Sequence, residues 1–205
     1  MSIGDAEIKT QERVIRFFKE PEILGYQYIG NLSDYQNKNI KEDRLRQYLR
    51  LKGYADKLID AAVMQLQQEA GNLSRGVYDA NKTVYSRLKY GIPVSESPEK
   101  PPVTVELIDE ANPLNNDFAI AEEVTVVEQQ EKRPDLVIYL NGIAVAVIEL
   151  KRSSISVSEG IRQNLTNQKD SFIRGFFTTM QFCMAGNESE GLRYGTLLTG
   201  EKFYM

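Results

Sequence analysis

Apolar residues recur at helical spacing in the first third of the chain. In GDAEIKTQERVIRFFKE (4–20), Ile8, Ile15 and Phe18 share one face, which predicts an amphipathic first helix. Two further stretches, IKEDRLRQYLRLKG (40–53) and ADKLIDAAVMQLQQEAG (55–71), also predict helices, and Gly71 stands where a C-cap is expected. The stretch from Leu73 to Gly91 fits no single pattern. The first half of the chain is therefore expected to be rich in helix.

Runs of Val, Ile and aromatic residues dominate the second half and predict strands. A short strand is also expected earlier, in YQYIGNL (26–32). The later runs are VTVELI (103–108), FAIAEEVTVVEQQ (118–130), PDLVIYL (134–140), IAVAVIEL (143–150), FFTTMQFCMA (176–185) and RYGTLLT (193–199). SVSEGIRQNLTNQ (156–168) interrupts them with a helix pattern, opened by Ser156-x-x-Glu159 as a capping box. This order predicts an α/β fold around a central sheet.

GIPVSESPEKPP (91–102), rich in Pro and Ser, reads as a loop between the two halves. It predicts a division into an α-rich part, residues 1–92, which includes the first helix of the core, and a core, residues 93–205. The abrupt end, GEKFYM, suggests a piece of a longer chain. The start has neither a basic region nor an apolar segment typical of a signal peptide, so a cytoplasmic protein with no membrane span is expected.

Composition excludes several classes of chemistry. The 205 residues contain no histidine, so catalytic triads and histidine metal sites are impossible. The single cysteine, Cys183, lies in an apolar run and is expected to be a small buried residue. No phosphate-binding GxxxxGK[ST] or GxGxxG loop is present. Catalysis must therefore use Asp, Glu, Lys, Arg, Tyr or Ser, with a hard metal as the fitting partner.

The net charge of −4 argues against indiscriminate binding of nucleic acid, but the charges are unevenly distributed. Basic residues cluster in KNIKEDRLRQYLRLKG (38–53) and again at 151–174, while acids concentrate between Glu99 and Glu131. The first cluster is interpreted as a solvated helix face, with a DNA-binding surface as the alternative.

The two strand runs at 134–150 carry charges only at their ends. Asn141-Gly142 between them is a strong hairpin signal. A two-residue loop would place Asp135 and Glu149 on opposite faces, since side chains alternate along a strand. A three-residue loop, Asn141 to Ile143, would instead pair Leu140 with Ala144 and set Asp135 opposite Glu149, with Lys151 on the same face.

The three-residue loop is the predicted arrangement. It puts Val137, Tyr139, Val145 and Val147 on the face that carries the charges and Ala144 on the opposite face. Because both faces are apolar in mid-strand, both are expected to be covered by other parts of the protein. Two opposed carboxylates repel unless a cation lies between them, and oxygen ligands suit Mg²⁺. The residues alone leave a second interpretation open, in which Asp135 follows Pro134 in a turn and Glu149 and Lys151 form a solvated strand end.

Pro134-Asp135 with Glu149-Leu150-Lys151 resembles the PD-(D/E)xK nuclease motif. DLVIYLNGIAVAVIELKRS (135–153) is similar, more narrowly, to the N-terminal nuclease domain of the restriction, or motor, subunit of type I restriction-modification enzymes. The resemblance is specific over about residues 133–168, and TQERVIRFFKE with LGYQYI resembles that family's first helix and strand. It implies a restriction-endonuclease-like core, a central mixed β-sheet flanked by helices.

The resemblance also implies roles for individual residues. Asp135 and Glu149 would bind Mg²⁺ together with the backbone carbonyl of Leu150, and Lys151 would be the catalytic lysine. Gln163 matches the glutamine of a Q-x-x-x-Y motif whose tyrosine position here is Asn167, a departure that puts the motif's usual role in doubt. Two further assignments are weaker: Glu12 as an acid on the first helix, and Arg152 beside the lysine.

In the family, the full subunit continues into an ATP-driven translocase and assembles with modification and specificity subunits on double-stranded DNA. ATP binding would belong to that longer chain. Two alternatives to a metal-dependent endonuclease remain: a non-catalytic DNA-binding or docking module of the same fold, and a self-contained repair or junction nuclease.

Overall fold

A six-stranded mixed sheet forms the centre of the protein, seen in a computed structural model that describes residues 3–95 and 99–205, with side chains from residue 8 onward. Its strands are β1 (Gln27–Asn31), β4 (Phe118–Glu122), β7 (Leu136–Leu140), β8 (Ile143–Leu150), β9 (Phe182–Asn187) and β10 (Gly191–Gly195). They lie in the order β1-β4-β7-β8-β9-β10, in which β1–β4 and β8–β9 are parallel and the other neighbours antiparallel.

Two small antiparallel pairs lie outside this sheet, β2 (Ile92–Val94) with β3 (Val103–Val105) and β5 (Val126–Val127) with β6 (Glu131–Lys132). The helices are α1 (Ile3–Lys19), α2 (Glu42–Leu51), α3 (Asp56–Gly71), α4 (Val77–Tyr90) and α5 (Val157–Asn167). Short 3₁₀ turns occupy Pro113–Asn115, Arg174–Thr179 and Glu201–Phe203. The predicted fold, a central mixed sheet flanked by helices, is confirmed.

The helix predictions hold, with two differences. The ambiguous stretch after Leu73 contains α4, whose buried residues Val77, Ala80, Val84 and Leu88 recur at helical spacing. Gly71 is the last residue of α3 rather than its cap, which is Asn72.

The predicted strand at 176–185 is wrong in its first half, which forms the 3₁₀ turn Arg174–Thr179. Side chains satisfy the backbone there: Glu128 accepts from the Gly175 and Phe176 amides at 2.9 and 2.7 Å. The Asn81 amide donates to the carbonyls of Thr178 and Met180 at 3.1 and 2.8 Å. With these partners the segment needs no neighbouring strand.

The hairpin between β7 and β8 corrects the predicted three-residue loop. Asn141 and Gly142, with φ of 52° and 81°, form a two-residue turn, and Leu140 pairs with Ile143. The extra residue lies inside β8 instead, because Tyr139 pairs with Ala144 and Ile138 with Ala146, which leaves Val145 as a bulge. Beyond the bulge Leu136 pairs with Ile148, so Asp135 and Glu149 do come opposite each other.

Both faces of the hairpin are covered, as predicted, but the bulge exchanges two residues between the faces. Ala144 joins the charged face and Val145 leaves it. The α5 face has a buried cluster that includes Val137, Tyr139, Ala144, Val147, Val157, Ile161 and Cys183. The α1 face has another that includes Ile15, Leu136, Ile138, Ala146, Ile148 and Leu150.

Helices α2–α4 pack with β2 and β3 in a third buried cluster that also holds Ile143 at the hairpin tip. Parallel pairing of β1 with β4 joins the sheet across the proposed boundary at 92/93, and that boundary stays a prediction. Three of the loop residues around it, 96–98, lie outside the described part of the chain. Within the described part, no helix combines the length and apolar character needed to cross a bilayer.

Candidate active site

Asp135 and Glu149 stand opposite each other where β7 begins and β8 ends. The Leu150 amide donates to Asp135 Oδ2 at 2.6 Å, which fixes the Asp135 carboxylate against the end of β8. Glu149 is wholly buried, whereas Asp135 is half-buried. The predicted geometry, two carboxylates on one side of the sheet, is therefore present, although the bulge and not the turn produces it.

Burial raises the pKa of the Glu149 carboxyl well above its usual range. The charge of Asp135 raises the pKa further, and so does a hydrogen bond to Asp135 that only the protonated Glu149 can donate. Lys151 acts in the opposite direction by its positive charge. Among the described residues no donor reaches Glu149 Oε1. An ionised Glu149 thus has a buried oxygen that lacks a partner, which is a costly arrangement without a cation.

Helix α5 brings Gln163 to this carboxylate. Gln163 Nε2 donates to Glu149 Oε2 at 2.6 Å. The helix approaches the sheet closely at Gly160, where an added Cβ would lie 2.9 Å from the Ala185 Cβ and 3.4 Å from the Glu149 carbonyl oxygen. A glycine at this position therefore lets α5 come near enough for Gln163 to reach β8.

The start of α5 differs from the predicted capping box. Ser156 accepts from the Ser158 amide at 3.3 Å, and Glu190, from the turn between β9 and β10, accepts from the Val157 amide at 3.1 Å. Glu159 pairs with Arg162 instead of closing the box. The helix start is thus anchored to the sheet by a residue distant in sequence.

Lys151 and Arg152 follow the end of β8. The Lys151 amide donates to the Gly186 carbonyl at 2.9 Å, and its ammonium donates to the Leu150 carbonyl at 3.1 Å. Arg152 is half-buried and its carbonyl closes a turn with the Ile155 amide. Since the strand has ended, alternation along it does not set the direction of either side chain.

The end of α5 has a packing role. Asn167, at the position where the family's motif has tyrosine, is 2% exposed. Its neighbour Gln168 donates to Cys183 Sγ at 3.6 Å and accepts from the Leu198 amide at 2.7 Å, which ties the helix end to β9 and the C-terminal loop. Cys183 is fully buried, as expected.

Glu12 is not brought to the Asp135–Glu149 pair. It is exposed on α1, which packs on the opposite face of the sheet from α5, and lines a cleft there with Tyr28 and Glu122. Its neighbour Gln11 is buried and donates to Glu122 Oε2 at 2.9 Å, while the Tyr28 hydroxyl donates to Oε1 at 2.5 Å.

Sequence reasoning missed the acids at the end of β4. Glu122 and Glu123 follow the apolar run FAIA, and the Glu123 amide donates to the Asp135 carbonyl at 2.8 Å. The signal was the same one that identified Asp135 and Glu149, namely charges at the end of a buried strand.

Basic residues of the cluster around α2 form ion pairs within the protein. Its ion pairs with acids of neighbouring segments are Arg44–Asp117 at 2.6 Å, Arg46–Asp60 at 2.5 Å, Arg50–Asp56 at 3.0 Å and Lys52–Asp109 at 2.9 Å. Lys41 lies over the Tyr139 ring, 5.2 Å from its centre. The basic residues are thus paired with acids of the protein and not simply solvated as predicted, and these contacts weaken the alternative of a DNA-binding surface.

The oxygen atoms at the strand ends fit a hard divalent cation. Within residues 3–95 and 99–205, no group of three or more Asp, Glu or Cys side chains could bind a metal jointly. The pair Asp135 and Glu149 supplies two carboxylates, one of them with an unsatisfied buried oxygen, and Leu150 adds a carbonyl. Mg²⁺ needs few protein ligands because it keeps several waters.

The chain is similar in sequence to subunits of type I restriction enzymes. The chain is 33% identical over 97 residues to a "Putative type I restriction enzyme MjaIXP endonuclease subunit" of Methanocaldococcus jannaschii, a match that covers 43% of this chain and 9% of the relative. It is 29% identical over 85 residues to the "Type I restriction enzyme SsaAORF53P endonuclease subunit" of Staphylococcus saprophyticus, covering 42% and 9%. The chain thus matches only about a tenth of each relative's length. The family model described as "Type I restriction enzyme R protein N terminus" matches residues 7–203, so the chain belongs to that family.

Proposed function

We propose that this chain is the Mg²⁺-dependent endonuclease domain of a type I restriction enzyme and hydrolyses phosphodiester bonds of double-stranded DNA. The observation that carries the proposal is the pairing of Asp135 with a fully buried Glu149 at the ends of adjacent strands. Burying a carboxylate beside another carboxylate costs stability. A binding site for a cation explains why the protein tolerates this cost.

Asp135, Glu149 and the Leu150 carbonyl would hold the ion. A bound Mg²⁺ would supply Lewis acidity and lower the pKa of water at the site. The Leu150 amide keeps Asp135 in place from the strand itself, at 2.6 Å. Gln163 keeps Glu149 in place from the helix, also at 2.6 Å. Each acidic ligand is therefore oriented by a hydrogen bond from a different element, as metal sites require.

Lys151 would act on the substrate. Its ammonium donates to the Leu150 carbonyl, next to Glu149, whose pKa its positive charge lowers. From there it can donate to the attacking water or to a non-bridging phosphate oxygen and stabilise the charge that develops in the transition state. Water adds to phosphorus and releases a proton to solvent, the P–O bond to the leaving oxygen breaks, and that oxygen takes up a proton from solvent.

The family context defines the expected partners. The relatives are named endonuclease subunits of type I restriction enzymes. We infer that the protein works on double-stranded DNA in a complex with modification and specificity subunits, in the cytoplasm. An ATP-driven translocase would be contributed by a longer chain, and ATP would bind there.

The test is cleavage of double-stranded DNA by the assembled enzyme with Mg²⁺. Asp135→Asn and Glu149→Gln should each abolish cleavage while ATP hydrolysis by the complex continues. Asp60→Asn, which removes an exposed ion-paired acid on α3, is the matched control and should cleave normally. Normal cleavage by the Asp135→Asn enzyme would place the active site elsewhere.

A further inference from the structure

Glu123 has an unusual backbone conformation at the end of β4. Its φ is 51°, in the left-handed region that residues with a Cβ seldom adopt. Only Asn141 and Leu198 share this feature among the other non-glycine residues that the structure describes. Such strain is retained where the surrounding structure requires it, and it concentrates at functional sites.

Glu123 and the residue after it contact the segment that carries Asp135. The Glu123 amide donates to the Asp135 carbonyl at 2.8 Å, and the next amide, that of Val124, donates to the Pro134 carbonyl at 3.1 Å. The Glu123 carboxylate pairs with Arg133 Nε at 2.8 Å. Contacts from Glu123 and Val124 thus hold three consecutive residues, Arg133 to Asp135.

The Glu123 carboxylate lies outside the ligand set proposed for the ion. Glu123, Asp135 and Glu149 do not form a group that could bind one ion jointly. The contact of the Glu123 side chain is its ion pair with Arg133, and that side chain is 26% exposed. Glu123 therefore acts on the site through the Arg133–Asp135 segment.

We propose that Glu123 is a positioning residue of the metal site: its backbone bond and its ion pair with Arg133 hold the Arg133–Asp135 segment in register, which strengthens binding of a divalent cation by Asp135. This inference rests on the proposed function, because it assigns Glu123 a role at the same site. In this left-handed conformation Glu123 both bonds to the Asp135 carbonyl through its amide and pairs with Arg133 through its carboxylate.

Binding of Mn²⁺ alone, measured by calorimetry without DNA, separates this role from a structural one. Glu123→Gln keeps the backbone bonds and removes the charge, and affinity should fall about tenfold. Glu123→Asp keeps the charge and should retain more of the affinity than Glu123→Gln. Glu159→Gln makes the same change in another Glu–Arg pair, on α5, and should bind Mn²⁺ like the wild type.

Thermal unfolding of two further variants completes the test. Glycine accepts φ of 51° without strain, so Glu123→Gly should melt at a higher temperature than Glu123→Ala. Both should nevertheless bind Mn²⁺ equally weakly, a combination that loss of structure alone would not produce. Wild-type affinity in Glu123→Gln and Glu123→Gly would overturn the inference. Failure of the wild type itself to bind Mn²⁺ would instead overturn the proposed function.

Discussion

Gln163 on α5 donates a 2.6 Å hydrogen bond to Glu149 on β8, fourteen residues earlier in the chain. The bond joins a helix and a strand that meet closely because Gly160 has no side chain. It satisfies one oxygen of a carboxylate that is otherwise buried without a donor. The glutamine thus orients the acid and leaves the other oxygen available to a cation.

Gln163→Ala should reduce cleavage by about 10- to 100-fold, because an acidic ligand that has lost its orienting partner binds metal less well. The deficit should shrink when the Mg²⁺ concentration is raised. Cleavage rates across a Mg²⁺ titration measure both effects, and Glu159→Gln on the same helix is the control. A rate that does not respond to Gln163→Ala at any Mg²⁺ concentration would make Gln163 a packing residue only.

Glu149→Gln should abolish cleavage yet stabilise the metal-free protein by about 1–3 kcal/mol, since it removes a buried charge one of whose oxygens lacks a donor. The amide oxygen can still accept from Gln163, and the amide nitrogen can donate toward Asp135. Urea unfolding with a chelator present measures the difference. A less stable Glu149→Gln protein would show that the carboxylate is well accommodated without metal.

The stabilisation by Glu149→Gln should depend on pH. The pKa of Glu149 is raised in the folded state, so the unfolded state ionises first as pH increases. Below the unfolded pKa, about 4.3, both states are protonated and the wild type carries no penalty. The advantage of Glu149→Gln should therefore grow from about pH 4.3 upward until the folded pKa is passed. An advantage that is constant across this range would exclude ionisation as its cause.

Lys151→Arg should lose cleavage by roughly 100-fold or more, nearly as completely as Lys151→Ala. A guanidinium is planar and wider than an ammonium, and cannot reproduce its contact with a single oxygen. Arg152→Ala should only weaken DNA binding, with an effect that fades as salt rises, because a phosphate contact acts through counterion release. Cleavage assays at two salt concentrations distinguish these cases. An active Lys151→Arg enzyme would reduce Lys151 to electrostatic support.

Gly142→Ala should destabilise the fold by about 2–5 kcal/mol. Its φ is 81°, and an added Cβ would lie 2.6 Å from the Lys41 carbonyl oxygen and 2.8 Å from the Leu45 amide. Gly53→Ala is the matched control, since φ is 86° there but the surrounding space is open. Gly53→Ala should destabilise the fold only by the cost of a left-handed backbone at a residue with a Cβ, about 1–2 kcal/mol. Urea unfolding measures the loss of stability in each variant. Equal losses would mean that crowding at the hairpin tip is relieved by movement of α2.

The sequence by itself determined the kind of fold and the residues proposed for the site. Apolar spacing identified α1, α2, α3 and α5, and the Val- and Ile-rich runs identified most strands of the sheet. The absence of histidine and the single cysteine restricted the chemistry to oxygen ligands and lysine. Charges at the ends of buried strands identified Asp135, Glu149 and Lys151, because burial of charge needs a compensating partner.

Only the tertiary structure decided the register that brings Asp135 opposite Glu149. The hairpin is buried on both faces, so its apolar pattern does not distinguish one face from the other, and a one-residue shift leaves it unchanged. Opposed carboxylates needed one extra residue in the hairpin, which the sequence analysis placed in the turn, whereas the folded protein has it at Val145.

Contacts between distant segments decided the remaining features. The basic residues around α2 are paired with acids such as Asp117 and Asp109, which lie more than fifty residues away in sequence. The left-handed Glu123 is held by its bonds to the Asp135 segment. Local propensity would favour neither arrangement, because the free energy that maintains each comes from partners that only the folded chain brings together.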